Sequence, residues 1–227
     1  MATVKSRRAI ANSELHLRDS MWPDAEDELW DRSIFGGFTT LPKTLPYVAR
    51  IMDDLSKGFP LSQTYLALWC ATWDNAFVRL NRPADLAFAS GFAGERAERT
   101  WADRMRRLEV LGFVKTRPSG ASRLGFAFIP NPHSVIFALY AAKSDAAPAT
   151  PEAVDQRSML AGLTEGAFNA FVERALELGC NDVKELLKAA NAKQADARTQ
   201  TAQKEQTPPA KRRSFKLRPS PKKTAGT

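Results

Sequence analysis

The 227-residue chain has 33 Lys/Arg against 25 Asp/Glu, a net charge of +8, and 44% apolar residues. That apolar share is close to the globular average, so there is material for a core and a wholly disordered chain is excluded. Two cysteines and two histidines, with no Cys-x-x-Cys or Cys/His spacing, speak against a disulfide framework or a zinc site.

No cofactor or metal is therefore expected. No apolar run reaches the ~18–20 residues that cross a bilayer, and the N-terminus lacks an apolar signal core, so a soluble cytoplasmic protein without a membrane partner is expected. The charge is uneven. Ten of the 33 basic and two of the 25 acidic side chains lie after residue 192, which leaves 23 of each before it. A polyanion partner fits such a tail, whereas a binding face on the body must come from local segregation of charge.

In chain order, residues 1–28 are polar and mixed in charge and read as a flexible N-terminal arm. Residues 29–143 read as a folded domain with an N-terminal helical extension. Trp30, Ile34, Phe35 and Phe38 are expected to anchor it. Leu45-Pro46 opens a helix with Val48, Ile51, Met52 and Leu55 on one face. Ser62 reads as the N-cap of a second helix over 63–73, strongly apolar through Leu66, Leu68, Trp69 and Trp73. Residues 77–80 are expected to be a short strand, and the aromatic side chains of this stretch are assigned to the core.

Residues 82–130 carry the most specific pattern. A short helix after Pro83 stops at Gly91, and Gly91-Phe92 makes a tight corner, because glycine takes positive φ without steric cost. A longer helix over 94–111 follows, with Ala97, Trp101, Met105, Leu108 and Leu111 as a buried stripe and arginines opposite. Gly112 ends it. Residues 113–115 read as a strand, 118–120 as a turn and 123–129 as a returning strand.

Two punctuating motifs, "LAxxxGF" at 86–92 and "RLxxLGFV" at 107–114, with the hairpin behind them, resemble the winged helix-turn-helix DNA-binding domain. The resemblance covers about seventy residues, 62–130, in order and spacing. It implies a mainly α fold with a small β-hairpin (α+β) and a sequence-reading helix in the major groove of double-stranded DNA. The residues it singles out on that helix are Glu95, Arg96, Arg99, Thr100 and Arg106. In the wing they are Lys115, Arg117 and Arg123, suited to phosphates or a minor groove. Asp103 is expected to pair with Arg99, Arg106 or Arg107, and Arg82 and Ser90 to add phosphate contacts.

After the hairpin, 134–143 reads as an apolar helix and 144–151 as a linker. Residues 152–191 read as a helical pair, with Thr164 capping the first helix and Asn181 or Asp182 the second. Too short for a core of their own, these helices are expected to pack on the domain, on each other in a homodimer, or on a partner protein. Residues 192–227 read as a disordered basic tail, in which Lys211, Arg212 and Arg213 can follow phosphates.

No Ser/His/Asp, Cys/His, phosphate-loop or dinucleotide-loop pattern is found, and an enzyme is not expected. The expectation is a nucleoid-associated DNA-binding protein, a repressor of a plasmid or mobile element. The alternatives are a replication or partition protein binding origin repeats, and a protein-interaction module with a basic tether.

Overall fold

A computed structural model describes residues 4–73, 75–144 and 159–205, with side chains described at 8–73, 75–143, 159–192 and 195. The chain divides into two units, Met1–Leu186 and Leu187–Thr227. The first unit is mainly helical with one three-stranded antiparallel sheet, the α+β class expected.

The N-terminal arm is helical rather than irregular: α1 spans Val4–Met21 and α2 Ala25–Glu28. Alanine, leucine and arginine, all good helix formers, recur through α1. Its described side chains are exposed except for half-buried Arg18 and Asp19. Residues 29–44 are mostly turn and coil. Trp30, Ile34, Phe35 and Phe38 are exposed there instead of anchoring a core, and Trp30 rests on Phe38 with ring centroids 4.6 Å apart.

Helix α3 (Leu45–Leu55) buries Val48, Ile51, Met52 and Leu55, as the spacing predicts. Helix α4 spans Ser62–Ala71, and Ser62 is its first helical residue, not its N-cap. The cap comes from the preceding helix. One Asp53 oxygen accepts the N–H groups of Leu61 and Ser62 at 2.7 and 2.9 Å, and the other accepts the Ser62 hydroxyl at 2.7 Å. A carboxylate there satisfies orphan donors at the positive end of the helix dipole. Trp73 falls beyond the end of α4 and is 85% exposed.

The sheet consists of β1 (Phe77–Arg79), β2 (Lys115–Ser119) and β3 (Ser122–Phe128) in the order β1-β3-β2. The strand expected at 113–115 begins later, because Phe113 and Val114 are fully buried between helix and strand. The turn lies at Gly120-Ala121, one step past the expected tip. Pro118 sits inside β2 at the register irregularity between Arg117 and Ser119. An edge-strand bulge tolerates a residue without an N–H. Across from it Gly125 has no room for a side chain, since a Cβ there would lie 2.3 Å from that of Ser119.

Between β1 and β2 run α5 (Pro83–Ala89) and α6 (Ala97–Val110), packed on each other and on α4. Gly91, at φ +82°, turns the chain between them. Helix α6 starts three residues later than the spacing suggested, after a second positive-φ glycine, Gly94. Trp101, Met105 and Leu108 are buried on α6, which packs on α4 and α5.

Asn131 then caps α7 (Pro132–Ser144), accepting the His133 N–H at 2.9 Å, and Thr164 caps α8 (Glu165–Glu177), accepting from Ala167 at 3.1 Å. Helix α8 packs on α3 and covers α7. Phe168 stacks on Tyr140 at 3.8 Å and meets Phe137 edge-on at 5.1 Å. Of the three packing arrangements open to the helices after the linker, α8 thus takes the first, on the body. Helix α9 runs Asn181–Glu205, so the backbone is helical well past residue 192, where the disordered tail was expected to begin. Residues 145–158 and 206–227, the latter with Lys211, Arg212 and Arg213, lie outside the described residues.

Candidate nucleic-acid interface

The apolar stripe of α6 faces inward, so its other residues face out by helical geometry. Arg99 is exposed on the first turn of α6, and Thr100 beside it is half-buried. Arg96 is the N-cap residue and Glu95 precedes it, so both sit in the turn before α6 and not on its first turn. Arg106 is exposed and pairs with Asp103 at 2.8 Å, one of the three pairings expected for that acid. Glu109 accepts the Thr116 N–H at 3.1 Å and its hydroxyl at 2.6 Å, which pins the base of the hairpin to the helix.

The other arginines of α6 are held by the body. The Arg107 guanidinium lies 4.0 Å over the Phe59 ring, and that of Arg104 lies 5.1 Å from Phe59 and 5.6 Å from Phe92. Arg104 Nε also donates to the Pro60 carbonyl at 3.2 Å. Burial, then the charge of Arg107, lowers the Arg104 pKa. These two arginines fasten the helix through cation–π contact.

Lys115 and Arg117 on β2 and Arg123 on β3 are all exposed. Among the described residues no ion pair engages Arg96, Arg99, Lys115, Arg117 or Arg123. Arg82 is exposed but pairs with Asp85. Ser90 is buried, and its hydroxyl returns to the Leu86 carbonyl at 2.6 Å, so it is a helix-end residue and not a phosphate contact.

A second cluster was invisible in the spacing. His133, at the start of α7, is buried between Thr44 and Asp182: Nε2 lies 2.7 Å from Thr44 Oγ1, and Nδ1 lies 2.7 Å from Asp182 Oδ2. A carboxylate only accepts, so Nδ1 carries the proton of the bond to Asp182. Asn131 Nδ2 also donates to Asp182, at 2.9 Å. His133, Cys180 and Asp182 bring three donor atoms within 4.8 Å of one another, donor types that suit zinc. Burial, then the Asp182 carboxylate, raises the Cys180 pKa and keeps the thiol protonated. The His133–Asp182 separation is that of a shared proton, shorter than the ~3.3 Å between ligands of a tetrahedral zinc. The cluster works as a clamp tying the starts of α3, α7 and α9 together.

Burial raises the Asp182 pKa, but the hydrogen bonds from Asn131 and His133, with the His133 charge, outweigh it and leave the carboxyl below its ordinary range. A depressed folded pKa means stability present above the unfolded value, ~4, and lost as pH falls through the folded one. Urea melts stepped down from pH ~6 should therefore lose part of their midpoint below pH ~4. Asp182→Asn should reduce that loss; an identical acid slope in the variant would remove Asp182 from the account.

A scan against protein-family models finds no match, and neither a search of curated proteins nor one of solved structures finds any.

Proposed function

We propose that residues 62–130 form a winged helix-turn-helix that reads double-stranded DNA, with α6 as the recognition helix and the β2–β3 hairpin as the wing. The observation that carries the reading is the joint arrangement of topology and charge. Helix α4, β1, the glycine-cornered pair α5–α6 and the hairpin follow one another, the sheet order is β1-β3-β2, and cations without ion pairs lie on α6, its entry turn and the hairpin. Arg99 is the base-edge candidate, since a guanidinium donates two hydrogen bonds to guanine. Lys115, Arg117 and Arg123 are the candidates for phosphates, contacts which position but do not specify. A regulatory role, as repressor of a plasmid or mobile element, rests on the resemblance alone.

The test is selection from random duplexes by the full chain at two salt concentrations. An enriched motif is expected, and Arg99→Ala should cost about 1–3 kcal/mol at one position of it. Lys115→Ala should weaken all sequences alike and lower the salt slope by about 0.9. Selection that enriches nothing, or a motif unaltered by Arg99→Ala and Arg96→Ala together, would sink the reading.

A further inference from the structure

The outer face of the sheet does not fit an ordinary solvated surface. Along the register Phe77 pairs with Phe128 and Phe128 with Lys115; Arg79 pairs with Phe126 and Phe126 with Arg117. Residues aligned across strands share a face. These six form two rows, Phe77–Phe128–Lys115 and Arg79–Phe126–Arg117, on the face opposite buried Val78 and Ala127. The outward side of a one-sided sheet is normally polar. Here Phe77 and Phe128 are 39% and 46% exposed, and Phe77 lies nearly parallel to Phe126 with centroids 5.7 Å apart. Just ahead of β1, the 85%-exposed Trp73 borders a hollow shared with Phe77 and Arg79. The two rows hold three cations, Arg79, Lys115 and Arg117, and the three strands hold no acid.

We propose that this face is a stacking platform for unpaired bases, a binding surface for single-stranded nucleic acid separate from the duplex-reading helix. A second copy of the chain laid on it would set like charges against each other, which is costly. A neutral apolar partner would leave the cations without counter-charge. A single strand supplies both chemistries: every base has a π face for the rings, and its phosphates match the interleaved Arg and Lys. A duplex supplies only the phosphates, because its base faces are already stacked. The platform's rings belong to the sheet and not to α6, and its cations Lys115 and Arg117 are shared with the proposed wing.

The test is fluorescence anisotropy of the full chain with end-labelled oligo(dT) and oligo(U) of about twelve nucleotides, alongside a duplex of equal length. The variants are Phe77→Leu with Phe128→Leu, which keeps apolar bulk but removes the rings, and Lys211→Ala/Arg212→Ala/Arg213→Ala in the tail. The paired leucine variant should bind single strands at least about tenfold more weakly, with its duplex binding and melting curve unchanged. Quenching of tryptophan emission by oligo(dT) should be reduced in Trp73→Phe. The two oligonucleotides separate DNA from RNA as the preferred strand. Wild-type protein that ignores single strands would overturn the proposal. So would single-strand binding lost with the tail variant but kept by the leucine pair. Single-strand binding that depends on the rings, in a protein that reads no duplex, would uphold this surface while removing the duplex reading.

Discussion

Replacing Trp101 with alanine is expected to cost about 3–5 kcal/mol of folding stability. Trp101 is 2% exposed and is the bulkiest of the fully buried side chains among the described residues. Its removal leaves a cavity that the surrounding close-packed core can only partly refill. A domain of this size has a total stability of about 5–15 kcal/mol, so the variant sits near the edge of folding. Arg99, two residues earlier on the same helix, is exposed, and Arg99→Ala should stay within about 0.5 kcal/mol of wild type. Urea denaturation of the two variants measures the contrast. A Trp101→Ala loss below about 1 kcal/mol would show that α6 does not bury this face. The pair also separates packing from the proposed reading role: one substitution should destabilise the helix, the other should leave it folded and weaken recognition at one position of the motif.

The second large effect is at Gly162, in the turn that brings the chain back to the body ahead of α8. A Cβ built there would lie 1.9 Å from the Asp54 carbonyl oxygen, 2.6 Å from its carbon and 3.0 Å from the Leu55 Cα. Those atoms are backbone at the end of α3, so no rotamer change relieves the clash. Either α3 loses its last turn or the segment with buried Leu160 and Leu163 lifts away. Gly162→Ala should cost about 3 kcal/mol, at the upper end for overpacking. Amide exchange should rise first in α8. Gly166 provides the opposite case: it lies in α8 with nothing within 4 Å of its Cβ position, and Gly166→Ala should stabilise by about 0.4–1 kcal/mol. A Gly162→Ala melting curve that overlays wild type would show the turn is not seated on α3.

What was legible in the sequence was local. The apolar spacing in α3 and α6, the glycine corner at Gly91 and the Thr164 cap depend on neighbours within a few residues, and they lie where periodicity and turn chemistry put them. What was missed depends on contacts between distant residues. Ser62 looked like a cap because the true one, Asp53, belongs to another helix. Trp73 and Phe77 looked like core because hydrophobicity does not say which side chains of a helix end or a three-stranded sheet meet the body. His133, Cys180 and Asp182 meet only once α7 and α9 are both in place. Of the candidate interface, the exposed arginines and lysines were readable as types. Which of them the body ties down was not: Arg107 is held by Phe59, an aromatic on a loop forty-odd residues away.

The sheet order has a kinetic consequence. Strands β2 and β3 are joined by a two-residue turn and can pair as soon as both exist, whereas β1 reaches β3 only across α5 and α6. Closing that loop costs chain entropy before any contact returns it. The register Val78↔Ala127 should then form late. Weakening it should mainly speed unfolding and leave the folding limb of a chevron almost unmoved. The aromatic rows on the sheet's outer face would be the last surface of the domain to be assembled and the first to come apart.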